Sequence, residues 1–145
     1  MKEKYYLNTN TLPTIPVPHD CIVKEIQLSN DSLVFVFEDN ISENDSIKYI
    51  MPDAKSLIIK FHLANDTSDV SLYMKTKPCK FLHKPAIYRE IDLSKQCDKL
   101  IHLPDTRLEY MYHNIGYCSI IVQLWASNSV VINITADYVE YDWDF

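Results

Sequence analysis

YCSIIVQLW at 117–125, SNS at 127–129 and VVINITA at 130–136 carry the reading that decides the fold class. Apolar residues alternate on both sides of a triplet of turn-forming residues, the pattern of two antiparallel strands joined as a hairpin. Past this hairpin the alternation continues into a last strand. Val139, Tyr141 and Trp143 fall on one face, and Tyr138, Glu140, Asp142 and Asp144 on the other. Successive strand side chains point to opposite faces, so the first set reads as core and the second as an acidic ladder facing water.

The same period of two runs back toward the N-terminus. Leu57, Ile59, Phe61 and Leu63 alternate with Ile58, Lys60 and His62; Val70, Leu72 and Met74 follow after a turn at Asn65-Asp66. Ile87, Ile91 and Leu93 share a face with Arg89. Ile22, Ile26 and Leu28 share one with Lys24, and Asn30-Asp31 turns the chain into SLVFVF at 32–37. A run apolar on both faces suits an inner strand. Residues 39–46 read as a polar loop, and 47–51 as a short strand stopped by Pro52. Leu93, Cys97, Leu100 and Ile101 instead recur at helical spacing, with Ser94 as N-cap, and predict a short helix. Around 105–115 two patterns compete. Leu108, Met111, Tyr112 and Ile115 fit a helix closed by a left-handed Gly116, whereas Leu108, Tyr110 and Tyr112 fit a strand, which the density of tyrosine favours.

Eight or nine strands with one or two short helices imply a mainly β, two-layer antiparallel sandwich or flattened barrel. A length of 145 residues suits one domain over 1–145. Within it, residues 1–18 are expected to form an extended strap, because Pro13, Pro16 and Pro18 lock φ and remove amide donors. Only one glycine is present, so Asn, Asp and Ser must make the turns.

The formal charge of −6 is unevenly spread: residues 1–72 carry −5, residues 73–107 carry +4 and residues 108–145 carry −5. An acidic chain without a basic face is a poor binder of phosphate backbones, whose affinity rests on Lys and Arg. The basic stretch reads as a solvated face or a local anion patch. No run is apolar enough for a membrane span and the N-terminus lacks a signal-like apolar stretch, so the expectation is a cytoplasmic protein with no nucleic-acid or membrane partner. Cys21, Cys79, Cys97 and Cys118 are accordingly read as reduced and mostly buried thiols.

Chemistry-bearing residues are scattered. His19-Asp20-Cys21 joins an imidazole, a carboxylate and a thiol, either as a fragment of a catalytic pair or as a local motif that fixes the start of the first strand. Cys118 with His113 is a second nucleophile–base pairing. Cys79-x3-His83 and Cys97-x4-His102 have zinc-like spacing without the tight turn residues that zinc loops use. Glu140 and Asp142 lie two apart on one strand face, compatible with a carboxylate pair for glycoside cleavage but commoner as a solvated ladder. Glycine-rich phosphate loops and hydrolase motifs are missing from the sequence. No catalytic residue, metal or cofactor is therefore assigned. Ten Tyr, five Phe and two Trp leave a carbohydrate- or small-ligand-binding face as an alternative.

The stretch His19-Asp20-Cys21-Ile22, with Ile26 and then Leu33-Val34-Phe35-Val36-Phe37, resembles the opening of a group of small bacterial proteins. Several members look like immunity proteins that neutralise a toxin. The resemblance implies a β-rich fold and a role as a protein-binding inhibitor, and carries over no catalytic residue. The expected function is thus a non-enzymatic domain that binds another protein, in its specific form a basic toxin, through Tyr138, Glu140, Asp142 and Asp144. A homo-oligomer stays open.

Overall fold

The computed structural model describes residues 1–93 and 107–145. Among these residues, nine strands form one antiparallel sheet: β1 (Lys2–Tyr6), β2 (Cys21–Leu28), β3 (Ser32–Phe37), β4 (Ser56–Leu63), β5 (Val70–Lys75), β6 (Tyr88–Ile91), β7 (Leu108–Gly116), β8 (Ser119–Trp125) and β9 (Ser129–Asp144). Their order is β4-β3-β2-β7-β8-β9-β5-β6, with β1 on β9. A further β4–β9 pairing closes the first six into a ring. The result is a flattened barrel. One layer holds β1, the C-terminal half of β9, β4, β3 and β2; the other holds β7, β8, the N-terminal half of β9, β5 and β6.

β9 turns the corner between the layers. Leu63 pairs with Ala136 and the adjacent His62 with Tyr138, so Asp137 is an extra residue, a β-bulge. Its effect is visible in the burial: Val130, Ile132, Ile134 and Ala136 point inward, then Val139, Tyr141 and Trp143. The phase of the alternation shifts from even to odd at the bulge. What the sequence presents as a hairpin arm and a separate last strand is one bent strand.

The core lies between the layers. Tyr110 of β7 meets Phe35 and Phe37 of β3 at ring-centroid distances of 6.2 and 5.8 Å, and Phe35 meets Phe61 of β4 at 5.3 Å. Each such fully buried aromatic or aliphatic side chain stabilises the fold by about 1.5–3 kcal/mol relative to exposure. Leu57, Ile59, Phe61 and Leu63 are buried as their alternation predicts.

Several expectations need correction. The inward residues of β2 are Cys21, Val23 and Ile26, not Ile22 and Lys24. The register shifts between Val23 and Glu25, so a bulge at Lys24 keeps the ammonium in water and changes the phase of the strand. Residues 47–51 form no strand; Asp45–Lys48 is a helical turn (α1), capped by the Asn44 side chain, which accepts from Ser46 N–H at 2.9 Å. It places Ile47 in the core. The strap covers residues 12–18, where Ile15 and Pro18 are buried and the Pro16 carbonyl accepts from the Tyr141 hydroxyl at 2.7 Å. Residues 2–6 are not part of it. They pair with β9 in register, Lys2 opposite Asp142 and Lys4 opposite Glu140.

Residues 108–116 are strand, as tyrosine density favours, and Gly116 is not a left-handed cap. A Cβ at Gly116 would come within 2.6 Å of Ser119 Oγ, across the tight turn into β8. Left-handed backbone is carried by Asp20, Asn40 and Ser127, the residue types anticipated, and also by His83 and Cys118. The predicted helix around 93–101 falls mostly outside the described residues.

Candidate functional site

The outer face of the first layer is a grid fixed by strand register. Glu25, Val36, Ile58, Asp142 and Lys2 make one row; Gln27, Val34, Lys60, Glu140 and Lys4 the next; Ser32, His62, Tyr138 and Tyr6 the third, in which Ser32 itself is buried. Tyr138, Glu140 and Asp142 of the expected ladder lie in it, and these two carboxylates are not bare. Lys2 Nζ stands 3.2 Å from Glu140 and 3.3 Å from Asp142, and Lys4 Nζ 3.6 Å from Glu140. Partial burial pushes the Glu140 carboxyl up, but the hydrogen bond from Lys2 and the charges of Lys2 and Lys4 outweigh it and hold the group below its ordinary range. Asp144, at the end of β9, is exposed.

Tyr138 is the aromatic centre. His62 stacks on it at 4.0 Å, Tyr6 lies 5.5 Å away, and Lys4 Nζ sits 5.1 Å above its ring. Burial, and then the neighbouring Lys60 charge, push the His62 imidazole below its usual pKa. The strand character of β1, and with it Lys2, Lys4 and Tyr6 on this face, escapes hydrophobic patterning because KEKYY has no aliphatic residue. The signal lies in charge instead: Lys2 and Lys4 repeat at the two-residue spacing of Glu140 and Asp142.

The grid runs into a depression of about 220 Å3 lined by Asp20, Ile22, Glu38, Asp39, Ile41 and Glu43, among others. Glu38 N–H donates to the Ile22 carbonyl at 3.0 Å, which continues the β2–β3 pairing beyond Phe37 and sets both side chains beside Val36. Among the described residues no cation pairs with Glu38, Asp39 or Glu43, and Asp20 meets only His19, Nδ1 to Oδ2 at 2.9 Å.

His19-Asp20-Cys21 forms the turn that starts β2. His19 N–H reaches Val17 O, Asp20 N–H reaches Tyr110 O, and Asp20 has φ of 61°. Cys21 points the other way, into the core, with Sγ 3.9 Å from Ser46 Oγ. Burial pushes its thiol pKa up to about 11, away from the lowered value that a nucleophile needs. With roughly 100-fold less thiolate than an ordinary thiol, Cys21 is expected to alkylate with iodoacetamide at least about 100-fold more slowly in the native than in the unfolded protein. Mass-spectrometric labelling rates check this, and fast native modification of Cys21 would revive the catalytic reading.

Cys118 and His113 do not form a nucleophile–base pair. His113 is buried and uses Nδ1 on the Tyr110 hydroxyl at 2.7 Å. Cys118 is a turn residue whose backbone ties Leu7 to Ala136. Cys79 and His83 flank a loop tip, while Cys97 and His102 lie outside the described residues. Among the described residues no three His, Cys, Asp or Glu side chains gather at ion-binding distance. Exposed Tyr112 and Trp125 lie on the outer face of the second layer, one row apart on β7 and β8. No helix among the described residues is long and apolar enough to cross a membrane.

The arrangement defines a β-barrel domain with a patterned outer face. Compared with known protein families, curated proteins and solved structures, the chain matches none.

Proposed function

We propose that this chain is a cytoplasmic binding domain for another protein, with no chemistry of its own, and that the partner presents a basic surface. One observation carries the reading. The half-exposed apolar residues Val34, Val36 and Ile58 of one sheet face adjoin, through Ile22, a depression lined by Glu38, Asp39 and Glu43, carboxylates with no cation partner among the described residues. Apolar contact supplies affinity, and the carboxylates steer a cationic partner and fix its register. The C-terminal acids contribute less than a bare ladder would, because Lys2 and Lys4 neutralise Glu140 and Asp142. In its specific form the partner is a basic toxin, a nuclease being the natural case, since its phosphate-binding surface is cationic.

Crosslinking capture of a partner at physiological salt, followed by binding measurements on the purified pair, tests this. The doubly reversed Glu38→Lys/Asp39→Lys protein is expected to bind the partner on the order of tenfold more weakly or worse. Lys2→Glu/Lys4→Glu should retain it, and added salt should weaken the wild-type complex. A partner of acidic surface, or one held equally well by Glu38→Lys/Asp39→Lys, defeats the proposal.

A further inference from the structure

β5 and β6 continue past the sheet as a two-armed finger. Lys75 pairs with Tyr88, Thr76 N–H donates to the Ile87 carbonyl at 2.7 Å, and Cys79 and Lys84 exchange backbone bonds of 3.0 and 3.1 Å. The chain reverses over Lys80-Phe81-Leu82-His83, with His83 left-handed at φ 49°. Pro78 and Pro85 stiffen the two arms and remove amide donors, so the finger does not offer a free sheet edge. Among the described residues, 77–87 make hydrogen bonds only within the finger.

Its surface is unlike the rest of the molecule. Phe81 at the apex is 98% exposed and Leu82 64%, with Ile87 and Tyr88 exposed farther down. Residues 75–89 hold Lys75, Lys77, Lys80, Lys84 and Arg89 and no carboxylate. The segment thus contributes +5 to a chain of net −6, which leaves −11 on the remainder.

We propose that this finger is a membrane-contacting loop, in which Phe81 and Leu82 enter the acyl boundary of an anionic lipid surface and the surrounding lysines bind its headgroups. The charge is complementary to such a leaflet, where each Lys or Arg adds to binding. The shape favours lipid over a protein partner. A four-residue convex tip cannot supply the roughly 800 Å2 per side of a stable protein interface, whereas a fluid bilayer buries a protruding Phe without a preformed pocket. The acidic remainder does not cancel the attraction. Six residues of extended chain from Lys75 set the tip up to about 20 Å out, beyond the Debye length of about 8 Å at physiological salt. The lysine stems can lie along the apolar boundary while their ammonium groups stay among the phosphates.

Co-sedimentation of the full chain with phosphatidylserine-containing vesicles, and with vesicles of phosphatidylcholine alone, tests the assignment. Binding is expected to the first only and to weaken with salt. Phe81→Ser/Leu82→Ser and Lys77→Gln/Lys80→Gln/Lys84→Gln should each lower partition at least about tenfold with unchanged thermal unfolding. Phe81→Trp should show a blue-shifted emission on the anionic vesicles. Absence of binding at low salt, undiminished binding by the Phe81→Ser/Leu82→Ser protein, or capture of a protein through the tip without vesicle partition overturns it. The finger extends β5 and β6, whereas Glu38 and Asp39 follow β3, which pairs with neither, so partner capture through the acidic face is read separately.

Discussion

Trp143→Ala is expected to destabilise the protein by about 3–5 kcal/mol, the range for truncating a buried aromatic to alanine. Trp143 is 1% exposed, packs on Tyr141 at 5.8 Å and stands opposite Leu57 in the β4–β9 register. Its loss would hollow the first layer where β9 is flanked by β4 and β1. The indole also donates Nε1–H to Glu3 Oε2 at 2.9 Å, tying β1 to β9 from the inner side. Trp143→Phe separates these contributions. It keeps most of the packing and deletes the bond to a carboxylate, worth about 1.5–3 kcal/mol. The low end applies, because Glu3 keeps the Tyr5 hydroxyl at 3.0 Å and some exposure. The ordering wild type, Trp143→Phe, Trp143→Ala in urea midpoint is therefore the expected result. Against a total stability of about 5–15 kcal/mol, the alanine protein should be near the edge of folding. Equal midpoints for the two variants would show that the Glu3 bond, not the buried volume, holds this corner.

How much of this was legible in the sequence depends on what a period of two can carry. Alternation assigned Leu57, Ile59, Phe61, Val139, Tyr141 and Trp143 to the core and set the fold class, since inward and outward side chains follow directly from strand geometry. It failed where the period breaks. A lysine at position 24 looked as if it shared the buried face because bulges leave no local signature. The same holds for Asp137, which made one bent strand look like two. Ile47 looked like a strand residue because an isolated apolar run does not distinguish a strand from a helical turn; the capping Asn44 two residues before Ser46 held the missing signal. The candidate surface was legible only in part. Tyr138, Glu140 and Asp142 were placed on a water-facing side, but their lysine partners are more than 130 residues away in sequence. Glu38, Asp39 and Glu43 gather with Asp20 only once the β2–β3 pairing is known. The finger lies within the stretch 73–107 that the sequence marks as basic, and its apex could not be read because Phe81 and Leu82 look like core residues in the sequence although the fold leaves them exposed.

Deleting Asp137 is expected to abolish the native fold, while Asp137→Ala leaves it nearly intact. The N-terminal half of β9 is locked between β8 and β5, with Ile132 opposite Val122 on one side and Leu72 on the other. The C-terminal half is locked between β4 and β1. Without the extra residue the two halves cannot both keep register, and a slip of one residue sends every side chain of a half to the opposite face. A slip of the C-terminal half would turn Tyr138, Glu140 and Asp142 inward and push Val139, Tyr141 and Trp143 into water. Exposing three such side chains costs about 1.5–3 kcal/mol each, and burying two carboxylates away from Lys2 and Lys4 costs several kcal/mol more per ion. Together these are as large as the usual total stability of about 5–15 kcal/mol. The Asp137 side chain makes no such contribution. Among the described residues its side chain has no hydrogen bond or ion pair, and its carbonyl accepts from Leu7 N–H at 2.8 Å whatever the side chain, so Asp137→Ala should change stability by no more than about 1 kcal/mol. Near-ultraviolet circular dichroism and urea unfolding distinguish the two variants. A deletion protein that retained a native aromatic spectrum and a cooperative transition would show that β9 can round the corner without its bulge, and that the phase of the last strand is set elsewhere.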